Sequence, residues 1–357
     1  MEANKIAMST AVLQVLSNFE GDSFDRLYSI FSEHLDKESR KELDDYRKGE
    51  RLPSLSSDII AKKIFDANEH KERLEYLLRN VINDQNIEVN ATTQQEGYIR
   101  STSSKKIIMD LPVTLEDGRF VDVGFQQAAQ DFILQRGDIY SADMLLIQYS
   151  KEEGKKKNDV NYQNTKGVVL ICFMKKSPTF FKKCKNDRYI HRFSTWTSDS
   201  GLEYNPLSTI IYVQLDKCFD QFKKDVNGEE DDTLQLLLSM MYDINDIKVN
   251  AKAKESDITK GIVSEVTELI QKKEVQKMLL AEKYAEADIN SYAYSARLEG
   301  EAEGEAKGKA KGKAEGQSLL FSAIQKVRAG ETMDNLLSQG FDEETIKFAL
   351  AVDETKV

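Results

Sequence analysis

Apolar and polar positions follow two periods along this chain, and the change from one to the other divides it. Helical spacing dominates residues 1 to about 55, as in Phe24, Leu27, Tyr28 and Phe31. Ser57 and Asp58 stand just before Ile59, Ile60, Ile64 and Phe65, and either residue could cap a helix there. Leu74, Leu77, Leu78, Val81 and Ile82 continue the helical period through Asn83, so these two helices are expected to cover one side of a sheet. The alternation in Asn86 to Asn90 predicts a short first strand. Residues 107 to 126 then predict a hairpin, because Glu116-Asp117-Gly118 separates two runs rich in β-branched and aromatic residues.

Beyond the hairpin the helical period returns over 131 to 149, with Arg136 and Tyr140 four apart on one face. Residues 151 to 164 read as a polar loop, and Gly167 to Phe173 as a buried central strand. A loop-rich section around Trp196 precedes a last strand, Thr209 to Leu215. Helix, strand, hairpin, helix and strand in this order imply an α/β sandwich with a mixed sheet. After Asp216 only helical patterns remain, first Leu234 to Tyr242 and then, with few breaks, 246 to 317.

Within that region glycine recurs every four residues from Gly300 to Gly316, with alanine midway and Glu, then Lys, between them. The pattern lacks an apolar stripe wide enough for a core. A four-residue repeat advances about 400° on an ideal helix, so a glycine row drifts by about 40° per repeat. A solvated helical linker is therefore expected over 299–316, in preference to a pairing helix. The tail recovers apolar spacing in three short stretches separated by Gly330 and Gly340, with Asp342 placed to cap the last.

The polar face of the hairpin carries the chemistry. Val121, Val123 and Phe125 share one face of the second strand and read as core, while Asp122, Gly124 and Gln126 share the other with Phe120. Asp and Gly are poor strand formers, and Asp110 interrupts the first strand in the same way. Two acids on a hairpin can serve a hard divalent cation, since Mg²⁺ is commonly held by one or two carboxylates with water and phosphate completing the shell. A solvated polar face is the alternative reading of the same residues.

Charge adds a second feature. The total is −11, which argues against a protein that coats nucleic acid generally. Residues 151 to 192 nevertheless hold twelve Lys and Arg against four acids, a net +8 that leaves −19 for the remainder. Such a local patch suits one face meeting a polyanion. Its members include Lys155, Lys156, Lys157, Lys182, Lys183, Lys185, Arg188 and Arg192, interleaved with Phe180, Phe181 and Tyr189. The other reading is a solvated loop whose aromatics are core. Three dispersed cysteines without a CxxC pair, and three histidines equally scattered, argue against zinc and disulfides and for a reducing cytoplasm. The longest apolar run, Val168 to Met174, is far short of a membrane span, so membrane insertion and secretion are not expected. Cys172 reads as a strand residue, and His191 shows no acidic or Cys partner in the sequence.

The run Ile108-Met-Asp110, the Asp-Gly turn, Asp122-Val-Gly-Phe-Gln126, the Arg136 and Tyr140 pair and the apolar strand together resemble the recombination-promoting nuclease (Rpn) family, the PD-(D/E)xK nuclease family transposases. Asp58-Ile-Ile-Ala-Lys62-Lys-Ile-Phe65 and Leu77 to Ile82 look like that family's opening helices, and the glycine-rich repeat with its helical tail like its C-terminal region. The resemblance covers most of residues 58 to 350. It implies a metal-dependent DNA endonuclease with an Asp and a Glu-x-Gln strand around a divalent metal. Asp110 stands at the family's Asp and Gln126 at its Gln, while the Glu position falls on Gly124. Asp122 is the nearest replacement ligand, about 6.6 Å back along the same strand face and one methylene shorter than Glu.

The expectation is therefore an α/β restriction-endonuclease-like core, a mixed sheet flanked by helices, over 57–215. A helical extension (1–56) precedes it, and a helical region (216–298), the repeat linker (299–316) and a small helical tail (317–357) follow. Catalysis would use Asp110, Asp122 and Gln126, with Mg²⁺ on Asp110 and Asp122 and DNA along the basic segment. Two alternatives stand beside an active nuclease. One is a degenerate relative that binds DNA or regulates, and the other is a homo-oligomeric interaction protein working through its C-terminal helices. Arg136 and Tyr140 either orient a phosphate or tie their helix to the sheet.

Overall fold

The computed structural model describes residues 23–90, 111–127, 129, 132–150, 164–224 and 232–354. The chain forms two compact units, Met1–Ala285 and Glu286–Val357. Helices α1 (Phe24–Phe31), α2 (Lys37–Lys48), α3 (Asp58–Ile64) and α4 (Lys71–Ile82) open the first unit. Strands β1 (Leu111–Thr114) and β2 (Phe120–Gln126), helix α5 (Ile133–Ser150), strand β3 (Val168–Met174) and the short helix α6 (Thr179–Lys182) come next. They are followed by β4 (Ile190–Phe193), β5 (Trp196–Thr197), β6 (Glu203–Tyr204) and β7 (Ser208–Gln214). The remaining elements are α7 (Leu215–Lys224), α8 (Thr233–Tyr242), α9 (Ile247–Lys252), α10 (Ile262–Ile270), α11 (Lys273–Arg328), α12 (Met333–Ser338) and α13 (Glu343–Glu354).

Five strands form one mixed sheet in the order β1-β2-β3-β7-β4. The hairpin is antiparallel, β2, β3 and β7 run parallel, and β4 closes the other edge antiparallel to β7. This is the mixed α/β arrangement expected of a restriction-endonuclease-like core. The turn closes through Leu115 N to Arg119 O at 2.9 Å and Gly118 N to Leu115 O at 3.0 Å. Gly118 has φ +88°, a left-handed conformation that an L side chain rarely adopts. Sequence and geometry agree here because the turn is a local property.

The expected strand over 86–90 is corrected by the structure. Among the described residues a single bridge forms there, Val89 with Leu115, flanked by Asn90 N donating to Thr114 O and Glu116 N to Glu88 O. The section around Trp196 was expected to be loop and instead holds β4 and the small hairpin of β5 and β6. The helical stretch from 246 breaks between α9, α10 and α11. The glycine repeat lies within α11, and a Cβ built at Gly304, Gly308, Gly312 or Gly316 would meet nothing within 4 Å. In the second unit Asp342 caps α13, accepting from Thr345 N at 2.9 Å.

Long-range contacts complete what the local pattern leaves open. The first turn of α3 has no cap from its own residues, and Glu282 of α11 supplies one, accepting from Asp58 N at 3.1 Å and Ser57 Oγ at 2.7 Å. The mostly buried Arg73 guanidinium of α4 bridges both carboxylate oxygens of Glu265 on α10, at 2.9 and 3.0 Å. Phe31 stacks on Tyr284 with ring centroids 4.4 Å apart, so the N-terminal extension packs onto the same unit. No helix among the described residues is long and apolar enough to cross a membrane.

Candidate active site

Strand register lays out the site. Side chains two apart share a face, and the ladders align Asp122 with Leu170 and Ile210, Gly124 with Cys172 and Tyr212, and Gln126 with Met174 and Gln214. On β4, His191 and Phe193 extend the Tyr212 and Ile210 rows. Helix α5 packs on this face through two apolar clusters. Met144 and Ile147 meet Phe120, Val168 and Leu170, while Ile133 meets Met174, Phe181 and Tyr212.

The approach of α5 is unusually close at one point. Tyr212, 2% exposed, donates from its hydroxyl to Ile133 O at 3.1 Å, and a Cβ built on Gly137 would lie 2.2 Å from that oxygen. Only glycine fits there. Burial first, then the nearby Cys172 and Asp138, raises the Tyr212 pKa far above its ordinary value of 10.0, so it stays a neutral donor.

With the helix seated in this way, Arg136 reaches back to the end of β2. Its Nη1 donates to Gln126 Oε1 at 3.3 Å and its Nη2 to the Tyr140 hydroxyl at 3.2 Å. The guanidinium carbon lies 5.0 Å from the Tyr140 ring centroid, a cation–π arrangement that holds the side chain along its helix.

Between α5 and the sheet lies a pocket of about 50 Å³, lined by Asp122, Gly124, Gln126, Arg136, Tyr140 and Cys172 together with apolar neighbours and Tyr212. That volume accommodates water, which needs roughly 10 to 15 Å³ by this measure. Asp122 is 2% exposed, so its carboxylate belongs to the pocket wall and not to the outer surface. One carboxylate facing a water-sized space is compatible with a hard divalent cation that keeps most of its water. Among the described residues no three Asp, Glu, His or Cys side chains cluster as a metal site. Gly124 is the physical reason within β2, since the strand position between Asp122 and Gln126 brings no oxygen into the pocket.

The other predicted residues are placed unequally. Asp110, Lys155, Lys156 and Lys157 lie outside the described residues. Leu111, which follows Asp110, pairs with Val123. Lys182, Lys183, Lys185 and Arg188 are exposed on α6 and the loop after it, with no ion pair among the described residues. That loop is braced from α7, where Lys217 Nζ donates to Asn186 O and Arg188 O and Gln221 Nε2 to Asp187 O. Arg192 has a structural role as well. Its Nε and Nη2 donate to Val81 O and Asn80 O at 2.6 and 2.9 Å, closing the C-terminal end of α4. Burial, then the neighbouring Arg188, lowers its pKa. His191 Nε2 contacts Gln214 Oε1 at 2.8 Å, and Gln214 continues through Ser177 to Asp216. This network pins the chain after β3 to β7.

Sequence reasoning missed Gly137, Tyr212 and the pocket-lining position of Cys172. A glycine inside a helical pattern was the available signal for the first, since it costs roughly 0.8 to 1.0 kcal/mol relative to alanine and asks for a packing reason. A family model described as PD-(D/E)XK nuclease family transposase matches residues 55–296, about two thirds of the 357-residue chain. No curated protein and no solved structure matches it.

Proposed function

The chain belongs to the PD-(D/E)XK nuclease family transposases, and from that premise we propose that it acts on the DNA backbone at the pocket between β2 and α5. The observation that carries this reading is that Asp122, Gln126 and Arg136 line one water-sized pocket on the polar face of the hairpin. Asp122 and Asp110 would hold Mg²⁺, and the bound ion would lower the pKa of a water and offset charge on the phosphate. Gln126 would place its amide between the attacking water and the phosphate, and the exposed Lys182, Lys183, Lys185 and Arg188 would contact flanking phosphates. A cut made in this way would feed recombination.

Gly124 favours a second reading, a lapsed enzyme that still binds DNA. A plasmid-nicking assay with Mg²⁺ or Mn²⁺ separates the two. If the site is active, the native chain nicks, and Asp110→Ala and Asp122→Ala both abolish nicking. Nicking that survives both substitutions refutes this site. Nicking that arises only with Gly124→Glu identifies the lapsed enzyme, because that substitution restores an oxygen ligand at the open position.

A further inference from the structure

We infer that Arg136 is a positioning residue that locks the Gln126 side-chain amide with its nitrogen toward the pocket, so that this end of the site receives a phosphate oxygen. Guanidinium nitrogens only donate hydrogen bonds. Because Nη1 lies 3.3 Å from the Gln126 side chain, the amide oxygen must face it. A flipped amide would set two N–H groups against each other. The amide is planar, so Nε2 points away from the guanidinium and presents donors alone, and both side chains line the same pocket.

Several contacts hold this arrangement in place. Tyr140 accepts the second arm of the guanidinium at 3.2 Å. The Gln126 backbone is fixed by Lys175 N donating to its carbonyl at 2.9 Å. The seat of Gly137 against Tyr212 sets where α5, and so Arg136, can lie. The pocket is thereby polarised. Asp122 gives one region acceptor character suited to a cation, whereas Gln126 beside a guanidinium gives the other donor character suited to an anion. A lysine would combine donor and charge in one group, and here the amide supplies the donor while Arg136 supplies the charge. The phosphodiester as ligand rests on the proposed function, but the amide orientation does not.

The test uses the full chain labelled with ¹⁵N-glutamine, with the Gln126 side-chain resonances identified by their loss in Gln126→Glu. Inorganic phosphate and a short DNA duplex are titrated separately. The expected result is a saturating shift of the Gln126 amide with both ligands. In Arg136→Met the shift is lost and phosphate affinity falls by about tenfold or more, the scale of one charge-assisted hydrogen bond. Arg136 is exposed, and an unchanged melting curve checks that this variant folds. Arg136→Lys retains the charge but cannot hold the amide and Tyr140 together, so it is expected to bind phosphate several-fold more weakly than native. Native affinity in Arg136→Lys, a shift that survives Arg136→Met, or no shift with either ligand would overturn the inference. A response to phosphate but not to DNA would keep the positioning role and refute DNA as the phosphate source.

Discussion

Gly137→Ala tests the contact on which the site geometry depends. The new Cβ would sit 2.2 Å from the Tyr212 hydroxyl oxygen, roughly 1 Å inside ordinary van der Waals contact. Tyr212 cannot swing away, because it is buried against Phe181, with centroids 5.1 Å apart, and Phe193, at 5.9 Å. The helix must therefore lift. Overpacking of this kind costs about 1 to 3 kcal/mol, and losing the hydrogen bond to Ile133 O adds about 1 kcal/mol. Alanine returns roughly 0.8 to 1.0 kcal/mol through its helix propensity. The net expectation is a destabilisation of about 1 to 3 kcal/mol.

Removing the hydroxyl changes the sign. In a Tyr212→Phe background the nearest atoms to the new Cβ are Cζ of that ring at 3.3 Å and Ile210 Cγ2 at 3.4 Å, which small shifts accommodate. Gly137→Ala should then be neutral or stabilising by up to about 1 kcal/mol. Urea unfolding of the two single variants and the double variant completes the cycle, with an expected coupling of about 1 to 4 kcal/mol. Additivity to within about 0.5 kcal/mol would refute the steric reasoning. The double variant should also recover phosphate affinity lost in Gly137→Ala, since Arg136 rides on the same helix.

Three further outcomes are expected. Burial pushes the Glu265 carboxyl up, but the Arg73 hydrogen bond and charge, with His70 beside them, bring its pKa below the ordinary 4.5. Its stabilising contribution is thus fully present above about pH 4.5 and is lost as pH falls through the depressed value. Glu265→Gln should cost about 1 to 2 kcal/mol at pH 7 after solvent screening is allowed for, and the gap to native should close below pH 4.5; a gap that widens on acidification would contradict this pairing. Arg192→Ala should lower the urea midpoint by removing about 1 to 3 kcal/mol of helix-end contacts while leaving the salt dependence of DNA binding intact, and an unchanged midpoint would remove the capping role. Replacing Lys182, Lys183, Lys185 and Arg188 by alanine should instead flatten the salt dependence by about 0.9 in log–log slope per lost phosphate contact. An unaltered slope would take these residues out of the DNA interface.

The apolar periods alone determined much of this protein. The hairpin, the β3 run, β7 and α5 are visible in the sequence because each depends on side-chain alternation or on one turn, and Gly118 marks its turn for the same local reason. The anomaly on the polar face of β2 was legible too, since Asp122 and Gly124 contradict strand propensity. Short, partly exposed strands such as β4, β5 and β6 carry too few alternating positions to announce themselves.

Tertiary structure decided the rest. Arg192 looks like one more basic residue until the end of α4 is found beneath it, and α3 takes its cap from Glu282, 224 residues downstream of Asp58. Gly137 and Tyr212 are 75 positions apart, and nothing in either neighbourhood announces their contact. The sequence thus determined which residues could form a polar site, through propensities that act over a few bonds. Packing decided which of them meet and which way the Gln126 amide faces, because close contact and hydrogen-bond direction are properties of surfaces joined only when the chain has folded.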